Sequence, residues 1–387
     1  MYNYQIIWLS LLCGTLASCI APYEPKGVTP TSGMLVVEGN IIEPYGTTIR
    51  LSRTKALNAT DSYEHINSAL ITISCDDGTR YYTAELKKEG DGIVPGTYTV
   101  NEKIVFTRGT TYTLNIKIGD QQYQSNPVTP LHAPEIEDVN YITRNDGRQV
   151  DIRVSTSDPA GEIMYYRWAC EEDWEYTAPE YATHRWNPEL KVIEQLSKEG
   201  VNTYYCWDKG HSVAFALGRT DKLASATLKN NTVLQLQGGT TRFLYLYSVL
   251  VKQYAITKEA YDYFSNLQKN IEDAGSVFAP QPTELSGNIH NMANPEEVVI
   301  GFVTASTETS RRLYIPAEEV PGMNVYYYCE EEMTGLSSQA IDLYATHWRI
   351  LNRIDRDKYI WLLARCVECT ELGGTKDKPD WWPNDHQ

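Results

Sequence analysis

Short runs in which every second residue is apolar, each closed by a turn signal, recur along this chain and leave it little choice but β-structure. Tyr112, Leu114, Ile116 and Ile118 alternate without a break before Gly119-Asp120 turns the chain toward Tyr123. A period of two places alternate side chains on one face of a strand, which no helix can do. Upstream, Ala69-Leu70-Ile71-Thr72-Ile73-Ser74-Cys75 leads through Asp77-Gly78 into Arg80-Tyr81-Tyr82-Thr83, a hairpin with a favoured turn dipeptide. Further strands are expected over 34–41, 47–51 and 97–100. Pro127, Pro130 and Pro134 then punctuate the chain.

Strands so spaced indicate an antiparallel sandwich of immunoglobulin-like kind, assigned to residues 27–131. A second, larger β module is expected over 132–387. In it Val150, Ile152 and Val154 alternate, as do Met164, Tyr166, Trp168 and Cys170. Long strands are expected over 242–254, 298–305 and 311–315. Two helices should interrupt this module. Asn187-Pro188 reads as a cap with proline at the first helical position, followed by Leu190, Ile193 and Leu196 on one face and Gly200 as the stop. Thr257 caps a clearer one, with Ala260, Phe264, Leu267 and Ile271 along a stripe. The fold class is therefore mostly β: one sandwich followed by a sandwich-like module with inserted helices.

The N-terminus carries a different signal. An apolar run from Ile6 ends in Leu16-Ala17-Ser18-Cys19. The run has signal-peptide length and is too short to span a bilayer. A small-residue site ending in Cys is the lipobox pattern. Residues 1–18 would be removed, the Cys19 thiol diacylated, and residues 19–26 would form a tether rich in proline. Acyl chains on one residue anchor durably, at roughly 0.8 kcal/mol per buried CH₂. The competing account is a buried apolar strand with an incidental cysteine, and the absence of Lys or Arg before Ile6 favours it. Pro22, Glu24, Pro25 and Lys26 follow at once, however, and that is tether rather than core.

The net charge of −16 argues against a nucleic-acid partner, because phosphate contacts need a positive face. Once Cys13 and Cys19 are set aside, Cys75, Cys170, Cys206, Cys329, Cys366 and Cys369 remain. An even number in an exported chain favours disulfides, with fifteen possible pairings. Cys366-Val367-Glu368-Cys369 lacks the second ligand pair of a zinc finger and runs into Gly373-Gly374, so a structural cross-link is expected there.

Several blocks resemble a known family. They include Leu35-Val36-Val37-Glu38-Gly39, Tyr166-Arg167-Trp168 with Glu172-Asp173-Trp174-Glu175-Tyr176, and Ser248-Val249-Leu250-Val251-Lys252-Gln253-Tyr254. Gly275-Ser276-Val277-Phe278, Pro280-Gln281-Pro282, Gly287-Asn288-Ile289-His290-Asn291 and Lys378-Pro379-Asp380-Trp381-Trp382 continue the match. The chain resembles the Bacteroidetes lipoproteins described as domain of unknown function 4249. That resemblance implies an outer-membrane lipoprotein, often encoded beside TonB-dependent transporters, and names no catalytic residues.

Tyr254, His290, Trp381 and Trp382 are the candidate partner-binding residues. With 28 Tyr and nine Trp, the aromatic content also suits a sugar- or protein-binding surface. The acidic clusters Glu171-Glu172-Asp173 and Glu330-Glu331-Glu332 lack EF-hand spacing and are expected as solvated faces. Seven scattered histidines form no HExxH, and there is no GxSxG, P-loop or helix-opening GxGxxG. No cofactor or metal is expected. The expected function is a non-catalytic binding or accessory subunit, lipid-anchored at the outer membrane with the surface side favoured over the periplasmic one. Its membrane contact would be the lipid, its protein partner a TonB-dependent transporter, and its ligand is left open. A surface hydrolase or peptidase, and a purely structural envelope protein, are the alternatives.

Overall fold

Two large hydrophobic cores within β-structure, with smaller apolar clusters beside them, organise the described residues. The computed structural model describes residues 33–383, less 56–62, 87–93, 197–202, 212–214, 274–284, 286, 326, 330, 335–340, 342–344 and 357. Cys19, the leader, the tether and the blocks at 275–278 and 280–282 lie outside the described residues.

The first unit contains β1 (Leu35–Glu43), β2 (Thr48–Thr54), β3 (Tyr63–His65), β4 (Leu70–Cys75), β5 (Arg80–Glu85), β6 (Thr97–Val100), β7 (Tyr112–Ile118) and β8 (Gln121–Ser125). Strands run in the order β1-β2-β6-β5-β4-β7-β8 and wrap around one core. The alternation read in β7 is what fills it: Tyr112, Leu114 and Ile116 are all buried.

The second unit is a two-sheet sandwich. Its smaller sheet joins β9 (Ile136–Arg144), β10 (Gln149–Ser157) and β16 (Thr227–Gln237). The larger joins β11 (Tyr165–Thr177), β14 (Tyr205–His211), β15 (Ala216–Arg219), β17 (Leu246–Ala255) and β19 (Ala305–Pro316). Between them Trp168 is 1% exposed, and its indole N–H donates to Gln253 Oε1 at 2.9 Å. The Gln253 amide in turn donates to the Pro134 carbonyl (2.7 Å) and to Thr156 Oγ1 on β10 (3.1 Å). The Trp168 indole N–H and the Gln253 amide are thus both hydrogen-bonded within the core, which avoids a cost of roughly 1–3 kcal/mol per orphaned group.

Among the described residues only α1 (Lys258–Asp273) is a helix of length, and the expected stripe holds for Ala260, Phe264 and Leu267. Thr257 Oγ1 caps the amide of Ala260 at 3.2 Å, and Ala260, Tyr263 and Phe264 are buried. Ile271 falls outside the stripe and is exposed.

The helix expected after Asn187 is a hairpin of β12 (His184–Asn187) and β13 (Val192–Gln195). The Asn187 side-chain oxygen caps a turn, accepting from the amides of Glu189 and Leu190 at 3.0 Å each. Asx turns of this kind compete directly with a helical N-cap. Trp186 and Ile193 sit opposite each other and pack inward, whereas Leu190 is exposed. Gly200, the expected stop, lies outside the described residues. The strand expected from Arg242 opens instead with a turn of 3₁₀ helix at Thr241–Phe243, which buries Phe243 completely.

The strand expected over 298–305 is irregular until Ala305, touching β1 at an isolated bridge between Ile300 and Val36. Here the backbone threads a space too narrow for side chains. A Cβ on Gly287 would collide with the Gly301 carbonyl, and one on Gly301 with the Val37 carbonyl. This return segment matters for organisation. Ile289, Val299, Val303 and Ala305 complete the first core, β18 (Ile289–Asn291) pairs with β8, and β19 runs parallel to β1. One continuous sheet therefore passes from the first unit into the second, so residues beyond 131 are built into the N-terminal sandwich.

The third unit was not expected as a separate core. It holds β20 (Glu331–Thr334), β21 (Trp348–Asp355), β22 (Lys358–Leu363), the short helix α2 (Ala364–Val367) and the β12–β13 hairpin. Cys329–Cys366 and Cys206–Cys369 are disulfides, so the two halves of the CxxC reach different partners. Cys75 and Cys170 are corrected from the disulfide set: both are free and buried. They belong to different cores, and burial pushes the Cys170 thiol up to about 12, with the Glu172 carboxylate adding to the effect. Among the described residues no helix is long and apolar enough to cross a membrane.

Candidate functional site

The third unit opens a cleft of ≈ 390 Å³ whose walls come from four parts of the chain. Trp186 projects from β12, Trp348 from the start of β21, Trp361 from β22, and Glu368 follows α2. The tryptophans occupy strand positions where one face is packed, which suits large aromatic side chains. Trp361 is buried at 1% exposure, with Trp186 and Trp348 half-buried against the same core. The volume lies in the range of small-molecule sites, and its lining is largely apolar.

Polar groups frame the indoles. Arg349 Nε pairs with Glu368 Oε1 at 2.8 Å, and its Nη1 donates to the carbonyls of Ala345 (2.6 Å) and Trp348 (3.1 Å). Glu371 lies 3.6 Å from Arg349 Nη2. Across the cleft Arg185 pairs with Glu194 at 2.9 Å. His184 contacts Thr183 Oγ1 through Nδ1 at 2.9 Å. Burial and the charge of Arg353 hold it below the usual histidine range, so it is neutral at physiological pH. Thr183 ties β12 to β21 by donating its amide and hydroxyl to the Leu351 carbonyl. The Cys329–Cys366 bridge fixes the base of α2. The Arg349–Glu368 pair ties β21 to the segment after α2, and the Arg185–Glu194 pair braces the β12–β13 hairpin.

The expected partner-binding residues divide. Tyr254 and Trp382 lie on the outer face of the larger sheet, together with Trp381, but both are buried. Tyr254 donates to Glu308 Oε2 at 2.7 Å, and Trp382 donates its indole N–H to Glu175 Oε2 at 2.7 Å. Each therefore packs the molecule. Trp381 is 44% exposed and lies flat on Arg312, whose guanidinium carbon is 3.7 Å from the ring centre. His290 is exposed on β18, at the edge of the first unit, and is not brought to the others. Tyr328 is 83% exposed, while Tyr326 lies outside the described residues.

The first acidic cluster is corrected from a solvated face to a set of ion pairs. Glu171 pairs with Lys252 (2.5 Å) and Asp173 with Arg312 (3.1 Å). Glu172, 4% exposed, accepts from Arg242 and from the Tyr247 hydroxyl, each at 2.9 Å. Glu330 of the second cluster lies outside the described residues. Among the described residues no group of three or more His, Cys, Asp or Glu is placed to hold a metal. The cleft went unread in the sequence because Trp186 and Trp361 are far apart in the chain and no local spacing links them. The abundance of tryptophan was the only available signal.

A family model described as Domain of unknown function (DUF4249) matches residues 20–312. The matched segment covers the first unit, the second as far as the middle of β19, and Trp186, and ends before Trp348, Arg349, Trp361 and Glu368. No curated protein matches the chain.

Proposed function

The chain belongs to the family described as Domain of unknown function (DUF4249), and from that premise we propose that it is a lipid-anchored, non-catalytic binding subunit of the outer membrane, working beside a TonB-dependent transporter. The tryptophan-lined cleft carries this reading. It offers a concave apolar surface with a polar frame, and its charged residues are engaged in ion pairs with one another. Such a site holds a ligand without supplying a nucleophile or base. The lipobox at Leu16-Ala17-Ser18-Cys19 supplies the anchor. Tethering to the membrane that holds the transporter raises the local concentration of each partner for the other.

Two measurements test this. Intact-mass analysis of the native product should find residues 1–18 removed and Cys19 acylated. An unmodified thiol or a retained leader would refute the anchor. Detergent-solubilised membranes should yield the protein together with a transporter, and recovery alone under every condition would refute the partnership.

A further inference from the structure

We infer that the third-unit cleft is a binding site for a neutral saccharide of one or two rings. The inference rests on the binding-subunit reading above and specifies its ligand. Three features of the cleft narrow the chemistry. Trp186 and Trp348 are half-buried around the buried Trp361, so the site presents aromatic surface that an apolar ring face can cover. Its frame offers planar hydrogen-bonding groups, Arg349, Glu368 and His184, held in place by their own partners. Among the described residues the charges of this frame pair off: Arg349 faces Glu368 and Glu371, and Arg185 faces Glu194.

An anion would have to displace a carboxylate from an arginine, and a cation an arginine from a carboxylate. Either exchange breaks an existing pair to form one of similar strength. A neutral ligand meets no such competition. It must combine flat C–H faces for the indoles with hydroxyl groups that both donate and accept for the frame, and a pyranose does so. A purely apolar ligand would strip water from the frame without replacing its hydrogen bonds. Arg353, whose charge acts on His184, donates to the backbone carbonyls of Asp355 and Arg356, so it stiffens the rim. The volume of ≈ 390 Å³ suits a ligand of this size.

The test titrates the full-length, detergent-solubilised protein with maltose, cellobiose and chitobiose, following tryptophan emission and calorimetric heat. Galacturonic acid and a proline-rich peptide serve as the charged and peptide alternatives. At least one neutral disaccharide should bind at millimolar concentration or below and quench emission. Trp348→Ala should weaken it about tenfold or more, and Tyr82→Ala, at an exposed position of β5 in the first unit, should leave it unchanged. Trp348 also packs against the core, so Arg185→Ala at the rim is measured alongside it and should weaken binding with native near-ultraviolet dichroism. Failure of all three disaccharides to bind would overturn the inference, as would binding unaltered by both cleft variants, or capture of the acid or the peptide in their place. Co-purification with a transporter is scored on the same preparations. A protein that keeps its membrane partner but takes no saccharide overturns this inference alone.

Discussion

Glu175 makes the stability of this protein fall as pH rises, in a range where most proteins are near their best. Its side chain lies on β11 at 0% exposure and accepts the Trp382 indole N–H at 2.7 Å. Burial pushes its carboxyl up to about 7 from an ordinary 4.5, against the opposing pull of the Trp382 hydrogen bond and the charge of Lys378. Below pH 4.5 both folded and unfolded chains hold the proton. Between 4.5 and about 7 the unfolded chain releases it while the folded chain keeps it, so ionisation favours unfolding. The gap corresponds to about 3 kcal/mol once pH exceeds 7. Glu175→Gln keeps an acceptor for the indole and removes the titration. Urea unfolding of parent and variant, followed from pH 4.5 to 8.5, should show the variant gaining on the parent by about 3 kcal/mol across that range. Parallel curves would refute the reasoning. A parent that gained on the variant with pH would show instead that the carboxylate is ionised and held by Trp382.

Other perturbations have calculable outcomes. The Cys206–Cys369 bridge closes a loop with a sequence separation of 163 and Cys329–Cys366 one of 37. Loop entropy then assigns them about 5 and about 4 kcal/mol. Paired serine variants should rank in that order by urea midpoint, and a larger loss from the shorter loop would contradict it. Gly218→Ala would place a Cβ 2.5 Å from Trp168 Cη2 and 2.9 Å from Leu228 Cδ1. With Trp168 held by Gln253, overpacking should cost about 1–3 kcal/mol and lower the melting temperature. Thr257→Ala removes the cap on the Ala260 amide and should cost about 1 kcal/mol by the same assay.

What could be read from residues alone depended on the range of the interactions involved. The strands of the first unit were legible because alternation and Asp-Gly turns are local, and Thr257 with its stripe was legible for the same reason. Asn187-Pro188 failed as a helix start because the decision lies in Trp186 and Ile193 docking onto β21 and β22, more than 150 residues away. Cys75 and Cys170 were counted with the bridged cysteines because composition says nothing of which core a thiol faces. Tyr254 and Trp382 were placed at a surface, yet each found a carboxylate on a neighbouring strand and was buried. Trp348 and Trp361 stand one strand apart, but only the fold sets Trp186 against them.

The parallel pairing of β1 with β19 has a mechanical consequence. β1 is hydrogen-bonded along one edge to β2 and along the other to β19, so it runs through the interior of the continuous sheet. Tension entering at Leu35 and resisted at the far end of β19 would load those bonds together in shear, rather than unzip them one after another. A body held by its N-terminal end and tugged at its opposite end would thus resist rupture along the strand that joins its two halves.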